Sequence, residues 1–317
     1  MTDVLEFETE ADEPDPAPVV IDSPGVYDLD ERTYHADPVQ GGSLSSTGAR
    51  TLIRKTPARF RYDQQHGRED RKVFDFGRGA HFRVLGQGMQ IAEVPHDSWR
   101  TKAAKSAAVD ARQAGMTPLL TKDVEQVEAM AAALRAHPTI GPLLSRPGRA
   151  EQVMVYRDPA TGVMCRVMVD WLPDVPEGRR QLVVDYKSTE DASPQAFAKS
   201  MADYGYHQQG PFYTDGVVRL GLGGPGAPLP KFLLVVQEKK PPYLAAVYSP
   251  DAAAVGWGEV LNHQARMTYA RCVELDDWPG YSPEPQELGL PYYQLNAYER
   301  AADAGAFEFD TITQEDL

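Results

Sequence analysis

Apolar positions along the chain follow two periods, and the alternation between them predicts the element order. Short apolar runs at 152–156, 163–172, 182–186, 232–237 and 244–248 are bounded by turn residues and predict strands, with a further short strand at 90–94. The run ahead of Asp185 is apolar throughout, as expected of a strand buried on both faces. Helical spacing predicts helices over 45–64 and 75–86, and Ala-rich ones over 102–114 and 123–136. Ser193-Pro194 is a helix start, and Ser249-Pro250-Asp251 opens a long helix reaching about Leu275. A Gly/Pro-rich loop over 221–228 separates the later strands from the helix before them. Helices followed by a mixed sheet with helices packed on it define an α/β class: a central mixed sheet flanked by helices, with an N-terminal helical elaboration. There is no internal repeat.

Candidate chemistry sits at the ends of two of these strands. Asp185 and Lys187 are two residues apart, hence on one face of a strand, and Asp170 closes the preceding strand just before the turn-rich segment 173–178. A hairpin there brings Asp170 within reach of the other two. Two carboxylates and a lysine suit a hard divalent cation such as Mg²⁺, with the ammonium orienting or deprotonating a water, which is the chemistry of phosphodiester hydrolysis. The same Asp-x-Lys is also the ordinary shape of a solvated strand end or a surface ion pair. His81 follows small residues at 77, 79 and 80, which allow close helix packing; it reads either as a ligand or as a satisfied core histidine. Gln209 and Tyr213 share a helical face if the helix runs through Gly210-Pro211, and could bond a phosphate or base edge or simply fill the core.

Taken in order, these elements resemble the PD-(D/E)xK nuclease superfamily and, within it, the RecE-like exodeoxyribonuclease VIII family, from about Gly25 to Tyr293. The residues that carry the resemblance are Gly77-Arg78-Gly79-Ala80-His81, Glu151, Thr161 to Arg166 leading to Asp170, Asp185-Tyr186-Lys187-Ser188-Thr189, and Tyr206 to Tyr213. The resemblance implies that His81, Asp170, Asp185 and the Tyr186 carbonyl bind Mg²⁺, with Mn²⁺ able to substitute, and that Lys187 is the catalytic lysine. Gln209 and Tyr213 match a Gln-x-x-x-Tyr element, and Arg78, Arg166, Ser188 and Thr189 are implied DNA contacts. Glu151 stands open between a group that supports the ligands or holds a second metal and a structural ion-pair partner. The implied activity is 5′-to-3′ digestion of linear double-stranded DNA, leaving 3′ tails for an annealing protein in phage-type recombination, by a ring-shaped homo-oligomer. An endonuclease or single-strand exonuclease on the same core, or a non-catalytic DNA-end-binding protein, are the alternatives.

Composition refines this picture. No run of 18 apolar residues occurs and the N-terminus is acidic, so neither membrane insertion nor secretion is expected, and the cytoplasm (of a bacterial host, if phage-encoded) is. Cys165 and Cys272 stand far apart, which argues against zinc modules and iron–sulfur clusters; no nucleotide cofactor is expected. The net charge of −14 is concentrated at the ends: residues 1–20 hold seven acids and 301–317 hold five, without Lys or Arg. Without those twelve, 34 acids face 32 bases, about −2. The stretch from Arg50 to Lys72 is basic, and Arg54, Lys55, Arg59 and Arg61 are candidate phosphate contacts or a solvated helix face. The expected organisation is a disordered acidic tail over 1–24, a catalytic domain over 25–293 and an acidic tail over 294–317 whose Phe307, Phe309 and Ile312 suit a partner-binding peptide.

Overall fold

Capping residues and prolines place the helix ends, and apolar runs place the strands. The computed structural model describes residues 19–67 and 72–307, with backbone alone for 72–74. The chain begins with strand β1 (Gly25–Tyr27), helix α1 (Glu31–His35), strand β2 (Leu44–Ser45), and helices α2 (Ser46–Arg54), α3 (Pro57–His66) and α4 (Lys72–Leu85). The single helix expected over 45–64 is two. Thr56 precedes a proline, which disfavours helical backbone at that residue; it adopts an extended conformation and caps α3 by accepting from the Arg59 N–H.

Strand β3 (Ile91–Val94), helix α5 (Lys102–Gln113), strand β4 (Thr117–Leu120), and helices α6 (Thr121–Ala136) and α7 (Ile140–Leu144) follow. β3 and β4 pair in parallel as a separate two-stranded sheet, where Pro118 is tolerated because a two-stranded sheet is all edge. The central strands are β5 (Gly148–Arg157), β6 (Met164–Pro173) and β7 (Leu182–Thr189). Helices α8 (Pro194–Tyr204) and α9 (Tyr206–Arg219) cross over to β8 (Lys231–Glu238), then come β9 (Ala245–Tyr248) and helix α10 (Ala252–Leu275), capped by Asp251.

Among the described residues the main sheet has seven strands in the order β1-β5-β6-β7-β8-β9, with β2 beside β6. Most pairs are antiparallel; β7–β8 and β2–β6 are parallel. One face buries Cys165, Val167, Val169, Val183, Leu234 and Val236 with residues of α2, α9 and α10. On the other, Val184, Tyr186 and Val235 pack with Ala80 of α4 and with α6 and α7. The site strands are thus held between two helical layers, in keeping with the apolar run before Asp185. The expected α/β class with a central mixed sheet flanked by helices is the one observed.

A second compact unit begins at Gly280 and contains helix α11 (Tyr292–Asp303), which has no buried residue. The expected C-terminal tail therefore includes helix through Asp303, while Phe309 and Ile312 lie outside the described residues. Of the expected N-terminal tail, residues 1–18 also lie outside them; Ile21 is buried and bridges to Val39.

Candidate active site

Strands β6 and β7 diverge at the site. They share a single registered pair, Trp171 with Val184, and beyond it the Asp170 carboxylate takes the place of a ladder partner, accepting the Tyr186 N–H at 2.7 Å. The hairpin expected from the sequence therefore forms, and its early splaying is what admits the carboxylate. On α4, the His81 ring lies edge-on to Tyr186, with Nδ1 3.6 Å from Asp170 Oδ2. Gly79 seats α4 against the small sheet: a Cβ there would lie 2.5 Å from the Leu119 side chain of β4.

Glu151 stands directly across from Asp170. The β5–β6 register is continuous through Ala150–Trp171 and Gln152–Val169, yet the intervening pair is missing from the ladder, because Glu151 has a left-handed φ of 51°. That conformation is uncommon for a residue with a side chain, and like charges opposed across strands are unfavourable. Burial, then repulsion from Asp170, Glu31 and Asp185, pushes the Glu151 carboxyl up to about 8. His81, Glu151 and Asp170 each offer a ligand atom, all within 4.8 Å of one another. This donor set of one imidazole and two carboxylates fits a divalent cation, whose charge would offset the crowding of acids.

Asp185 turns toward the other helical layer. Its Oδ1 accepts from Gln209 Nε2 at 2.6 Å, and its Oδ2 forms an ion pair with Lys187. Burial, then repulsion from Asp170, pushes the Asp185 carboxyl up to about 6. Burial alone would depress Lys187, but attraction to Asp185 and Asp170 outweighs it and raises the ammonium above the ordinary range. The expected ligand set of His81, Asp170 and Asp185 is thus divided: the first two cluster with Glu151, while Asp185 is held by Lys187 and Gln209.

Helix α9 runs unbroken through Gly210-Pro211. Pro211 has no N–H for the His207 carbonyl, and Gly258 of α10 packs against that oxygen, where there is no room for a Cβ. Gln209 is buried and donates to Asp185, and Tyr213 is buried edge-on against Phe232.

The expected DNA contacts fare differently. Arg166 is buried, paired to Asp37 and bonded to Ser43 and the Tyr34 carbonyl; its guanidinium is committed within the fold. Arg54 donates to the carbonyls of Ala202 and Asp203 at the end of α8. Arg78 pairs with Glu31 and Asp75, Arg59 with Asp63, and Arg61 bonds Gln64 beside the Trp278 ring. Lys55 is exposed. Ser188 and Thr189 are partly buried at the end of β7, Thr189 bonding the Asp191 carbonyl. Arg68 and Arg71 lie outside the described residues. Sequence reasoning leaves the role of Glu151 open; the signal that locates it is strand register, since counting back through the Thr161-Gly162 turn sets it opposite Asp170.

Comparison with protein families matches residues 50–287 to a PDDEXK-like domain of unknown function (DUF3799). The chain belongs to this family. A solved structure of a candidate exonuclease from Eubacterium rectale is similar, at 12% identity and a TM-score of 0.54, over 86% of this chain and 99% of that one. At that identity the likeness concerns the fold, and it agrees with the PD-(D/E)xK architecture. No curated protein matches. Among the described residues no helix is long and apolar enough to cross a membrane.

Proposed function

We propose that this protein is a divalent-metal-dependent exodeoxyribonuclease acting on ends of linear double-stranded DNA. The observation that carries the reading is the convergence of His81, Glu151 and Asp170 beside the Asp185–Lys187 pair at the splayed end of β6 and β7. His81, Glu151 and Asp170 would hold the cation, and Asp185 would complete the site from the adjacent strand. Bound there, Mg²⁺ or Mn²⁺ would polarise a phosphoryl oxygen and lower the pKa of a water. Lys187 orients the attacking water or stabilises charge developing on the phosphate, Asp185 holds the ammonium in place, and Gln209 fixes the Asp185 carboxylate. RecE-like 5′-to-3′ polarity, a ring-shaped homo-oligomer, an annealing partner, a role in phage-type recombination and a cytoplasmic site of action belong to this proposal and rest on the motif resemblance.

The test uses linear duplex DNA labelled at the 5′ or the 3′ end, beside a closed circle, with Mg²⁺ or Mn²⁺. Release of nucleotides from the linear DNA with the circle intact is expected, early loss of the 5′ label marking the polarity. Cleavage of the circle would replace the exonuclease with an endonuclease, and no cleavage of any DNA with either metal would overturn the nuclease reading.

A further inference from the structure

Helices α8 and α9 meet across one residue, Gly205, whose left-handed φ of 71° turns the chain between two tyrosines. The Tyr204 and Tyr206 rings stack, with centroids 5.7 Å apart and planes 27° apart, and Phe197 stacks on Tyr206 at 5.9 Å. Lys187 Nζ lies 5.0 Å from the centre of the Tyr206 ring. The series runs outward from a buried Phe197 to Tyr204, which is 61% exposed. Arg50 donates to the Tyr204 carbonyl at 2.9 Å, and Arg54 to the two carbonyls before it. Gly205 is required for this seat, since a Cβ would lie 2.9 Å from Arg50 Cδ.

A lone exposed tyrosine needs no explanation. This one ends a stacked series that begins in the core, its carbonyl is held by Arg50, and the next ring in the series, Tyr206, adjoins Lys187. We infer that Tyr204 is a stacking platform for a nucleobase at the DNA end whose phosphate lies at Lys187. Aromatic faces take any base, because every base presents a π surface. Inside a duplex both faces of a base are covered by its neighbours, so the ring can receive only a terminal or unstacked base. The inference deepens the nuclease reading and rests on it for the position of the phosphate.

The test compares full-length wild type, Tyr204→Ala and Tyr204→Trp on duplexes whose terminal nucleotide carries a base or is abasic. Wild type and Tyr204→Trp should cleave the base-bearing end roughly ten-fold faster, the scale of one base–aromatic stack. Tyr204→Ala should cleave both ends at the slower rate; an undiminished preference in Tyr204→Ala overturns the platform. A binding arm with Ca²⁺ uses 2-aminopurine as the terminal base, beside an abasic spacer that leaves it unstacked in free DNA. Quenching by wild type and its loss in Tyr204→Ala support the platform, and no quenching by wild type overturns it. Failure of wild type to cleave any end overturns the nuclease reading instead, and the binding arm reads the platform separately from that outcome.

Discussion

At the scale of single residues, the site combines groups that repel one another with a left-handed backbone at Glu151, and the proposed metal-dependent function would account for both. Lys187→Ala should abolish cleavage while metal binding persists, because in the proposed mechanism the ammonium acts on water and phosphate; digestion at near wild-type rate would remove Lys187 from the mechanism. His81→Ala should lower activity in a way that raised metal concentration partly restores, whereas a lower melting temperature with unchanged metal dependence would mark a packing histidine. The raised carboxyls also give a pH signature. Glu151 and Asp185 hold protons more tightly in the fold, at about 8 and about 6, than at their ordinary values of 4.5 and 3.8. Their contribution to stability is full below those ordinary values and is lost as pH rises through about 6 and then about 8. Metal-free protein should therefore melt at lower temperature as pH rises across this interval, and saturating Mg²⁺ should flatten the trend by replacing the protons. A flat profile without metal would contradict the crowding of acids. Asp185 and Lys187 are legible in the sequence because they are local, whereas Glu151 is reached only by counting the cross-strand register back through the Thr161-Gly162 turn.

At the scale of elements, caps and close contacts decide where functional side chains point. Ser193, Asp251 and the apolar strand runs make α8, α10 and the sheet readable from sequence. The short elements β1, α1 and β2 carry too few residues for a period to show. The continuity of α9 is likewise hidden, because it depends on Gly258 of α10 meeting the His207 carbonyl. Gly258→Ala should destabilise the protein by about 1–3 kcal/mol through overpacking and weaken activity by shifting Gln209 from Asp185. Thermal melts and cleavage rates measured together check this; an unchanged melting temperature would show that α10 yields freely. Arg54→Ala should lower the melting temperature, since its guanidinium caps α8.

At the scale of the whole molecule, charge and partner availability separate surface candidates that composition can only group. In the sequence the basic stretch reads as a phosphate-binding patch or a solvated helix face, and in the fold Arg54, Arg59 and Arg61 each have a bonding partner that a phosphate would have to displace. Arg146, Arg179 and Arg180 line a different depression, of about 460 Å³, and all three are exposed. Each duplex phosphate that a variant no longer neutralises should reduce the log–log salt slope by roughly 0.9. Replacing Arg146, Arg179 and Arg180 together by Ala should therefore flatten the slope more than replacing Arg54, Lys55, Arg59 and Arg61, where the three guanidiniums have competing partners. Deleting residues 1–20 should strengthen binding or leave it unchanged, because that segment carries seven acids and no base. Binding over a salt series for these proteins decides the matter: a larger fall in slope for the four-fold variant would return the DNA path to α2 and α3.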